Sequence, residues 1–221
     1  MDRYPFIVVE GLDGTGKTTL RKGLFRLFEG LYRITPLAVL TTNFLAPDVA
    51  VDLVDGKYQP TPDNQDRYLT ALAADKQATD ARLIEPSLPV RPVIADRWLL
   101  SELAFFTVKH GRPPKDTYAA LTEHLGVVPD LTLVLDISPE AAMERAAARS
   151  GDATRPDWDV LTIQAKVRDV YQSVTEAPAG FPALGPVVRI NAAQDRAVVL
   201  HTAWQALEQY GLLAELGGAA S

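Results

Sequence analysis

Short apolar runs alternate with amphipathic stretches along this chain, and that alternation predicts a parallel sheet with helical crossovers. Residues 4–9 form an apolar run rich in β-branched and aromatic side chains, as expected for a strand buried on both faces. Residues 18–28 place Leu20, Leu24 and Phe28 on one helical face. The same reading predicts further strands at 33–40, 92–96, 130–136 and 186–190, and further helices at 62–84, 98–110, from 138 onward, 157–176 and 194–213.

Local signals mark several element ends. Thr61-Pro62-Asp63 is a plausible helix entry with proline in the first turn, and Gly111 is a typical helix end. Ser138-Pro139 combines a capping hydroxyl with proline at the first helical position. Residues 150–156 interrupt the pattern as a loop, and 215–221 are expected to be a disordered tail. With no repeat or linker, we expect a single domain over 1–221.

Between the first predicted strand and helix the chain reads Gly11-Leu-Asp-Gly-Thr-Gly-Lys-Thr18, which fills the pattern G-x-x-x-x-G-K-[ST]. A loop of this kind points its backbone N–H groups at phosphate oxygens and opens onto a helix N-terminus that favours anions. The pattern is short enough to occur by chance, but the strand, loop and helix follow in the required order. We therefore expect ATP, with the Lys17 amine on its phosphates and the Thr18 hydroxyl on Mg²⁺. The predicted ATP-binding residues are Gly11, Asp13, Gly14, Thr15, Gly16, Lys17, Thr18, Thr19 and Arg145.

Composition limits the partners. The chain has 221 residues and a formal net charge of −6, which argues against a nucleic-acid polymer and favours a small nucleotide. It has no cysteine, so disulfides and thiolate metal sites are excluded. No signal peptide and no run near the ~20 apolar residues of a membrane span is visible, so we expect a cytoplasmic protein without membrane contact.

The ends of predicted strands supply further candidates, since ligands of open α/β sheets bind beyond the carboxyl ends of the strands. Asp96 is expected to ligate the metal or orient the attacking oxygen, and Arg97 to bind a phosphate; the structural alternative is a salt bridge that closes the strand. Asp136 is equally consistent with a helix entry. Within the loop, the Asp13 carboxylate is expected to face away from the triphosphate, toward an acceptor hydroxyl or a neighbouring cation.

Three arginines surround the internal loop. Arg145 and Arg149 share a helix face, and Arg155 follows in the loop. A mobile basic lid over about 145–157 would neutralise charge on a transferred phosphoryl group and exclude water. The alternative is an ordinary basic helix end that interacts favourably with the helix dipole.

Four segments together resemble the thymidylate kinases, whose loop reads Glu-Gly-x-Asp/Glu-Gly-x-Gly-Lys-Thr. They are Phe6 to Leu20 around the loop, Ala73-Ala-Asp-Lys76, Asp96-Arg97-Trp98 and residues 129–139. The arginine-bearing lid and the helix after it match the family as well. The resemblance implies a P-loop NTPase fold with a five-stranded parallel sheet, helices on both faces and a mobile lid. It further implies in-line transfer of the ATP γ-phosphate to a nucleoside monophosphate, with Mg²⁺, in a homodimer.

By the same resemblance, Asp13 contacts the acceptor sugar, Arg97 the acceptor phosphate, and Arg149 and Arg155 the transferred group. Gly14-Thr15 stand where some members carry a basic residue, so the lid has to supply the catalytic cation. The predicted catalytic residues are Lys17, Asp96, Arg97, Arg149 and Arg155, and the predicted metal ligands are Thr18 and Asp96.

The acceptor side departs from the family pattern. Residues 41–47 lack the usual basic Arg-Glu-Pro element that grips the acceptor phosphate. Leu72 and Lys76 stand where the family has an aromatic that stacks on thymine and an arginine that reads the base; leucine cannot stack, and lysine replaces a planar fork with a point charge. Candidate replacement rings are Phe44, Tyr68, Phe105 and Phe106.

Three functions follow from these patterns. The main hypothesis is an ATP-dependent phosphotransferase of the thymidylate kinase type, with dTMP as the first acceptor to consider. The second is a kinase for a nucleoside or another small alcohol, with Asp96 or Glu10 as the base. The third is a module that binds ATP without transferring phosphate.

Overall fold

A computed structural model describes residues 3–40, 45, 51, 61, 63–150 and 160–213, with the backbone alone at 149 and 150. Within these residues, five strands form one parallel sheet in the order β2-β3-β1-β4-β5. The strands are β1 (Phe6–Gly11), β2 (Leu37–Leu40), β3 (Val93–Asp96), β4 (Leu131–Asp136) and β5 (Val187–Asn191). This is the predicted α/β class.

Helices follow the strands as crossovers. They are α1 (Lys17–Tyr32), α2 (Gln65–Thr79), α3 (Leu100–His110), α4 (Pro114–Thr122), α5 (Pro139–Ser150), α6 (Leu161–Glu176) and α7 (Arg196–Gln209). After α2 the chain continues through a π-helical turn (Asp80–Ile84) and a short α-helical turn (Glu85–Ser87). Two 3₁₀ turns, Pro178–Gly180 and Pro182–Leu184, precede β5.

The centre of the sheet is covered on both faces. All six residues of β1 are buried, and because successive strand side chains point to opposite faces, each face must be packed. Helices α1 and α7 pack together, while α3 packs against α6 and α4. The register pairs Val9 with Asp96 and Gly11 with Leu135, so the ends of β3 and β4 lie beside the start of the glycine-rich loop.

Some predicted boundaries were wrong for local reasons. The α2 helix begins at Gln65, not in the segment from Thr61, because the Asn64 side-chain oxygen accepts a hydrogen bond from the Thr61 N–H (2.7 Å) and forms a turn before the helix. The β2 strand begins at Leu37, because Arg33 ends α1 in a left-handed conformation (φ 58°).

The helix α4 was not predicted. It starts with proline at its first position, and its Thr117 and Leu121 are buried against the neighbouring helices. In the described part of the chain, no helix is both long and apolar enough to span a bilayer.

Candidate active site

The glycine-rich loop between β1 and α1 is held tightly against neighbouring backbone. Gly11 has φ 144°, and a Cβ there would lie 2.7 Å from the Leu135 carbonyl oxygen. Gly14 has φ 89°, and a Cβ there would lie 1.8 Å from the Ala142 carbonyl oxygen in α5. Both positions therefore require glycine for space as well as for conformation.

Lys17 lies at the start of α1 with its amine inside the loop. Its Nζ donates a 2.7 Å hydrogen bond to the Leu12 carbonyl and lies 3.6 Å from Asp13 Oδ1. Burial, assisted by the nearby positive charge of Arg97, lowers the pKa of Lys17 to about 7 despite opposing contributions from nearby carboxylates. A polyphosphate beside this amine would favour its charged form.

The predicted metal ligands lie next to one another. Thr18 Oγ1 is 3.4 Å from Asp96 Oδ2, which also accepts a hydrogen bond from Arg21 Nε at 3.3 Å. A hydroxyl and a carboxylate beside a phosphate loop suit Mg²⁺, which usually takes one or two protein ligands and completes its shell with phosphate oxygens and water. The described residues contain no cluster of three or more His, Cys, Asp or Glu side chains that could hold a metal ion.

Arg97 faces the loop from the end of β3. Its backbone is left-handed (φ 72°), and its Nη2 donates a short hydrogen bond to Asp13 Oδ1. The other nitrogen, Nη1, donates to Ser101 Oγ at 2.9 Å and to Tyr171 Oη at 3.3 Å. Burial alone would lower the pKa of Arg97, but Tyr171, Asp13 and Glu10 together raise it above its usual value, so the group is permanently cationic.

A buried carboxylate organises the residues behind Arg97. Glu10 has no exposed surface, and its Oε1 accepts hydrogen bonds from the backbone N–H groups of Trp98 (2.8 Å) and Ser101 (3.3 Å). Its Oε2 accepts from the Ser101 hydroxyl and from Tyr171 Oη at 3.4 Å. Glu10 is therefore occupied as an internal acceptor, and this argues against the suggestion that it is a base toward an acceptor hydroxyl.

A cavity of about 720 Å³ adjoins the loop on the side of α1, α5 and α7. Gly14, Gly16 and Thr19 line it together with Arg145, whose Nη1 donates a 2.7 Å hydrogen bond to the Ala192 carbonyl. Thr15 also borders the cavity, but its hydroxyl turns inward to the Leu12 carbonyl (2.8 Å). The cavity is large enough for the nucleoside of a bound triphosphate.

Lys76 and Glu102 form an ion pair between α2 and α3, beside Trp98. Lys76 Nζ lies 3.2 Å from Glu102 Oε1 and 4.7 Å from the centre of the Trp98 ring. Leu72, one turn earlier on α2, is buried in the core. Of the rings considered as replacements, Phe106 is fully buried, Tyr68 and Phe105 are half-buried, and Phe44 lies outside the described residues.

Asp136 forms ion pairs with two arginines at the end of β4. Its two carboxylate oxygens accept hydrogen bonds from Arg168 Nε (2.8 Å) and Arg189 Nη2 (2.6 Å). Burial would raise its pKa, but the two arginines outweigh burial and hold the pKa below the usual value. These contacts tie the end of β4 to α6 and β5.

The predicted lid lies partly outside the described residues. The Arg149 backbone belongs to α5, but its side chain and the whole of Arg155 lie outside the described residues. The predicted tail at 215–221 and, except for Leu45, the departure at 41–47 lie outside them as well. Leu45 N donates a 2.7 Å hydrogen bond to Asp75 Oδ1, which ties that segment to α2.

Sequence reasoning missed three side chains at the site. Arg21 is one turn after Thr18 on α1, and Ser101 is four residues after Arg97, so helical spacing was an available signal for both. Tyr171 lies on α6, 161 positions after Glu10 in the sequence, and no local sequence pattern indicates that it belongs to the site.

Comparison with protein-family models matches residues 9–182 to thymidylate kinase. The chain belongs to the thymidylate kinase family. It is therefore related to enzymes that phosphorylate nucleoside monophosphates, and the matched region includes the loop, the ends of β3 and β4, and α6.

The chain is similar in sequence to individual thymidylate kinases over most of their length. The chain is 32% identical to a probable thymidylate kinase of Methanocorpusculum labreanum, over 88% of this chain and 92% of the relative. It is 32% identical to the thymidylate kinase of Burkholderia vietnamiensis, over 82% and 89% of the two chains. The thymidylate kinase of Clostridium novyi is 28% identical over 80% and 87%.

Proposed function

We propose that this protein transfers the γ-phosphate of ATP to dTMP, in a reaction supported by Mg²⁺. The observation that carries the proposal is the position of Arg97, a partly buried cation that faces the phosphate loop across Asp13. A phosphate-binding loop that faces a fixed cation is suited to two phosphorylated substrates whose phosphates lie next to each other. Membership of the thymidylate kinase family supports dTMP as the acceptor.

The donor is bound by the loop and the adjoining cavity. Backbone N–H groups and the α1 N-terminus bind the phosphates, Lys17 moves from the Leu12 carbonyl onto phosphate oxygen, and Arg145 borders the nucleoside. Thr18 and Asp96 would hold Mg²⁺, which would supply positive charge to neutralise the phosphates. In this arrangement the protein orients the phosphates and supplies positive charge rather than a covalent intermediate.

The acceptor is positioned by Arg97. Ser101 and Tyr171 hold one guanidinium nitrogen, so the other can exchange the Asp13 carboxylate for the phosphate of dTMP. The released Asp13 carboxylate is then available to the acceptor sugar. With one nitrogen held in place, Arg97 offers Nη2 to the phosphate as a charge-assisted donor and thereby orients the acceptor for attack.

Several further features belong to the proposal. Arg149 and Arg155 close over the transferred group as part of a lid at about 145–157, because Gly14 and Thr15 supply no cation from the loop. We also infer a homodimer that works in the cytoplasm, as the absence of cysteine and the family both favour. We also propose a single kinase domain over residues 1–221.

A direct assay tests the acceptor. Purified protein is incubated with ATP and Mg²⁺, and ADP release is measured with dTMP, with thymidine and with no acceptor. We expect turnover with dTMP that exceeds turnover with thymidine by several orders of magnitude, because thymidine leaves Arg97 without its phosphate. A preference for thymidine would instead support the small-alcohol kinase.

The assay also separates a non-catalytic ATP-binding module. Binding of ATP raises the melting temperature by mass action, whether or not phosphate is transferred. ATP-dependent stabilisation without ADP release, across dTMP and a panel of other nucleoside monophosphates, would contradict the proposal and favour that module.

A further inference from the structure

A second cavity lies at the carboxyl ends of β4 and β5. It has a volume of about 730 Å³ and is bordered by α5 and α6 as well as by the two strands. Among the described residues, its charged lining consists of Asp136 and three arginines, Arg145, Arg168 and Arg189. Arg145 also borders the donor cavity, whereas Arg168 and Arg189 take no part in the proposed reaction.

The positive charge of these arginines exceeds the charge of the carboxylate that they contact. Asp136 accepts two hydrogen bonds from Arg168, through Nε at 2.8 Å and Nη2 at 3.2 Å, and one from Arg189 Nη2 at 2.6 Å. With three arginines and one aspartate, the lining keeps an excess of two positive charges, in a protein whose formal net charge is −6. Each guanidinium carries five N–H donors, so the bonds to Asp136 use only part of them.

Other acids near these arginines are exposed to solvent. Glu140 and Asp169 act electrostatically on Arg168, and Glu176 lies 3.6 Å from Arg189 Nη1. All three acids are exposed, and none of them lines the cavity. Because exposed charges are screened by water and salt, these acids offset the excess positive charge inside the cavity only weakly.

The rest of the lining suits a phosphate joined to an uncharged group. Asn191 supplies an amide at the end of β5, and the start of α5 borders the cavity at Ser138, where the helix dipole favours an anion. Ile137 and Ile190 add apolar surface. Asp136 already holds two guanidinium groups in place, which lowers the entropy cost of ordering them around a ligand.

We propose that this cavity is a second anion site, which binds a small phosphorylated molecule. Arg168 and Arg189 donate to the phosphate oxygens with the N–H groups that Asp136 does not use. Ile137 and Ile190 contact the uncharged part of the ligand. Planar guanidinium groups suit an anion with several oxygens, such as phosphate, because each can form two parallel hydrogen bonds. The site is separate from both proposed substrate sites, so the inference does not depend on the identity of the acceptor.

Calorimetry with phenyl phosphate, a phosphate joined to an apolar ring, tests the site. The protein is first saturated with Mg²⁺, a non-hydrolysable ATP analogue and dTMP, so that the phosphate loop and Arg97 are occupied. We expect a further binding event that is weakened at least about tenfold in Arg189→Gln and in Arg168→Gln, because each variant loses a charged donor. Arg91→Gln, the same change on an exposed arginine before β3 at the opposite edge of the sheet, should bind like the parent.

The two variants probe the site independently. The side chains of Arg168 and Arg189 are 33% and 34% exposed, so both variants should remain folded, which thermal melting checks; if one is unfolded, the other decides. Absence of further binding in the parent would overturn the inference. Binding that Arg168→Gln or Arg189→Gln retains at full strength would overturn it as well, because the ligand would then lie elsewhere.

A second probe tests the apolar part of the site. Inorganic phosphate makes no contact with Ile137 and Ile190, so we expect it to bind about three- to tenfold more weakly than phenyl phosphate under the same conditions. Equal affinity for the two probes would overturn the assignment of an organic phosphate.

Discussion

The donor and acceptor halves of the site are built in different ways. The proposed donor half is one continuous stretch, Gly11 to Thr19, that offers backbone groups, glycine conformations and the start of α1. The acceptor half joins Glu10, Arg97, Ser101 and Tyr171 from three distant parts of the chain through side-chain hydrogen bonds. A local motif can therefore specify the donor, whereas the acceptor depends on how the sheet and helices are packed.

This difference has a physical cause. Phosphates of a common donor need only N–H groups and positive charge, which a short loop provides. A particular acceptor needs groups at fixed distances and angles, and these must be held by further contacts. Arg97 shows the requirement, because one guanidinium nitrogen is occupied by Ser101 and Tyr171 before any substrate arrives.

The largest expected effect is on the donor half. Lys17→Ala removes the amine that meets the phosphates, and we expect kcat/KM for ATP to fall by about 100- to 1000-fold. Steady-state kinetics with varied ATP measure this loss. Lys22→Ala, on the exposed side of the same helix, is the matched control. Activity of Lys17→Ala within a factor of two of the parent would disprove the placement of the triphosphate.

Arg97→Lys should act on the other half. Lysine keeps the charge but cannot contact Asp13, Ser101 and Tyr171 together, so we expect kcat/KM for dTMP to fall by about 10- to 100-fold. The KM for ATP should change less than about threefold. Kinetics with each substrate varied in turn give both values, and an equal rise in both KM values would break the division into halves.

Tyr171→Phe tests the same division between the donor and acceptor halves through a residue that contacts Arg97. It removes a hydroxyl that contacts Arg97, Ser101 and Glu10 and that is not itself predicted to contact a substrate, so we expect about a tenfold loss in kcat/KM for dTMP with an unchanged KM for ATP. Tyr118→Phe is the control, since its hydroxyl accepts a hydrogen bond from Ala183 N (2.6 Å) away from the site. A hydroxyl that only stabilises the fold would lower the melting temperature in both variants and spare dTMP kinetics in both.

Asp136→Asn should have the smallest effect, because Asp136 belongs to neither half. Its ion pairs with Arg168 and Arg189 are partly exposed, so the loss should be about 1 kcal/mol of unfolding free energy, or a few degrees in Tm. The folded-state pKa of Asp136 is lowered, so its stabilisation is present above the unfolded pKa of ~3.9 and disappears as pH falls through the folded value.

Melting temperatures of the parent and of Asp136→Asn, measured from pH 7 downward, should therefore converge at low pH. Kinetics at pH 7 should agree within about threefold. A large loss of activity with an unchanged melting temperature would move Asp136 into the active site.

The pattern of apolar runs was sufficient to predict the five strands in their order along the chain, and most of the helices. It failed before α2, where the Asn64 side chain forms a hydrogen bond with nearby backbone. It also failed for α4, a short helix that is stabilised by packing. At the site, strand ends and the loop motif pointed to Lys17, Thr18, Asp96 and Arg97. Tyr171 could not be found in this way, because a tyrosine on a helix far along the chain is ordinarily part of the core or the surface.

By itself, the sequence determined the class of fold, the phosphate loop and the family, since each is encoded in local periodicity or in a contiguous motif. Only the tertiary structure decided that Asp13 meets Arg97, that Glu10 is buried behind Arg97 rather than free as a base, and that Lys76 meets Glu102. These are contacts between residues distant in the chain, and their partners are set by the parallel register of the sheet and the packing of α2, α3 and α6.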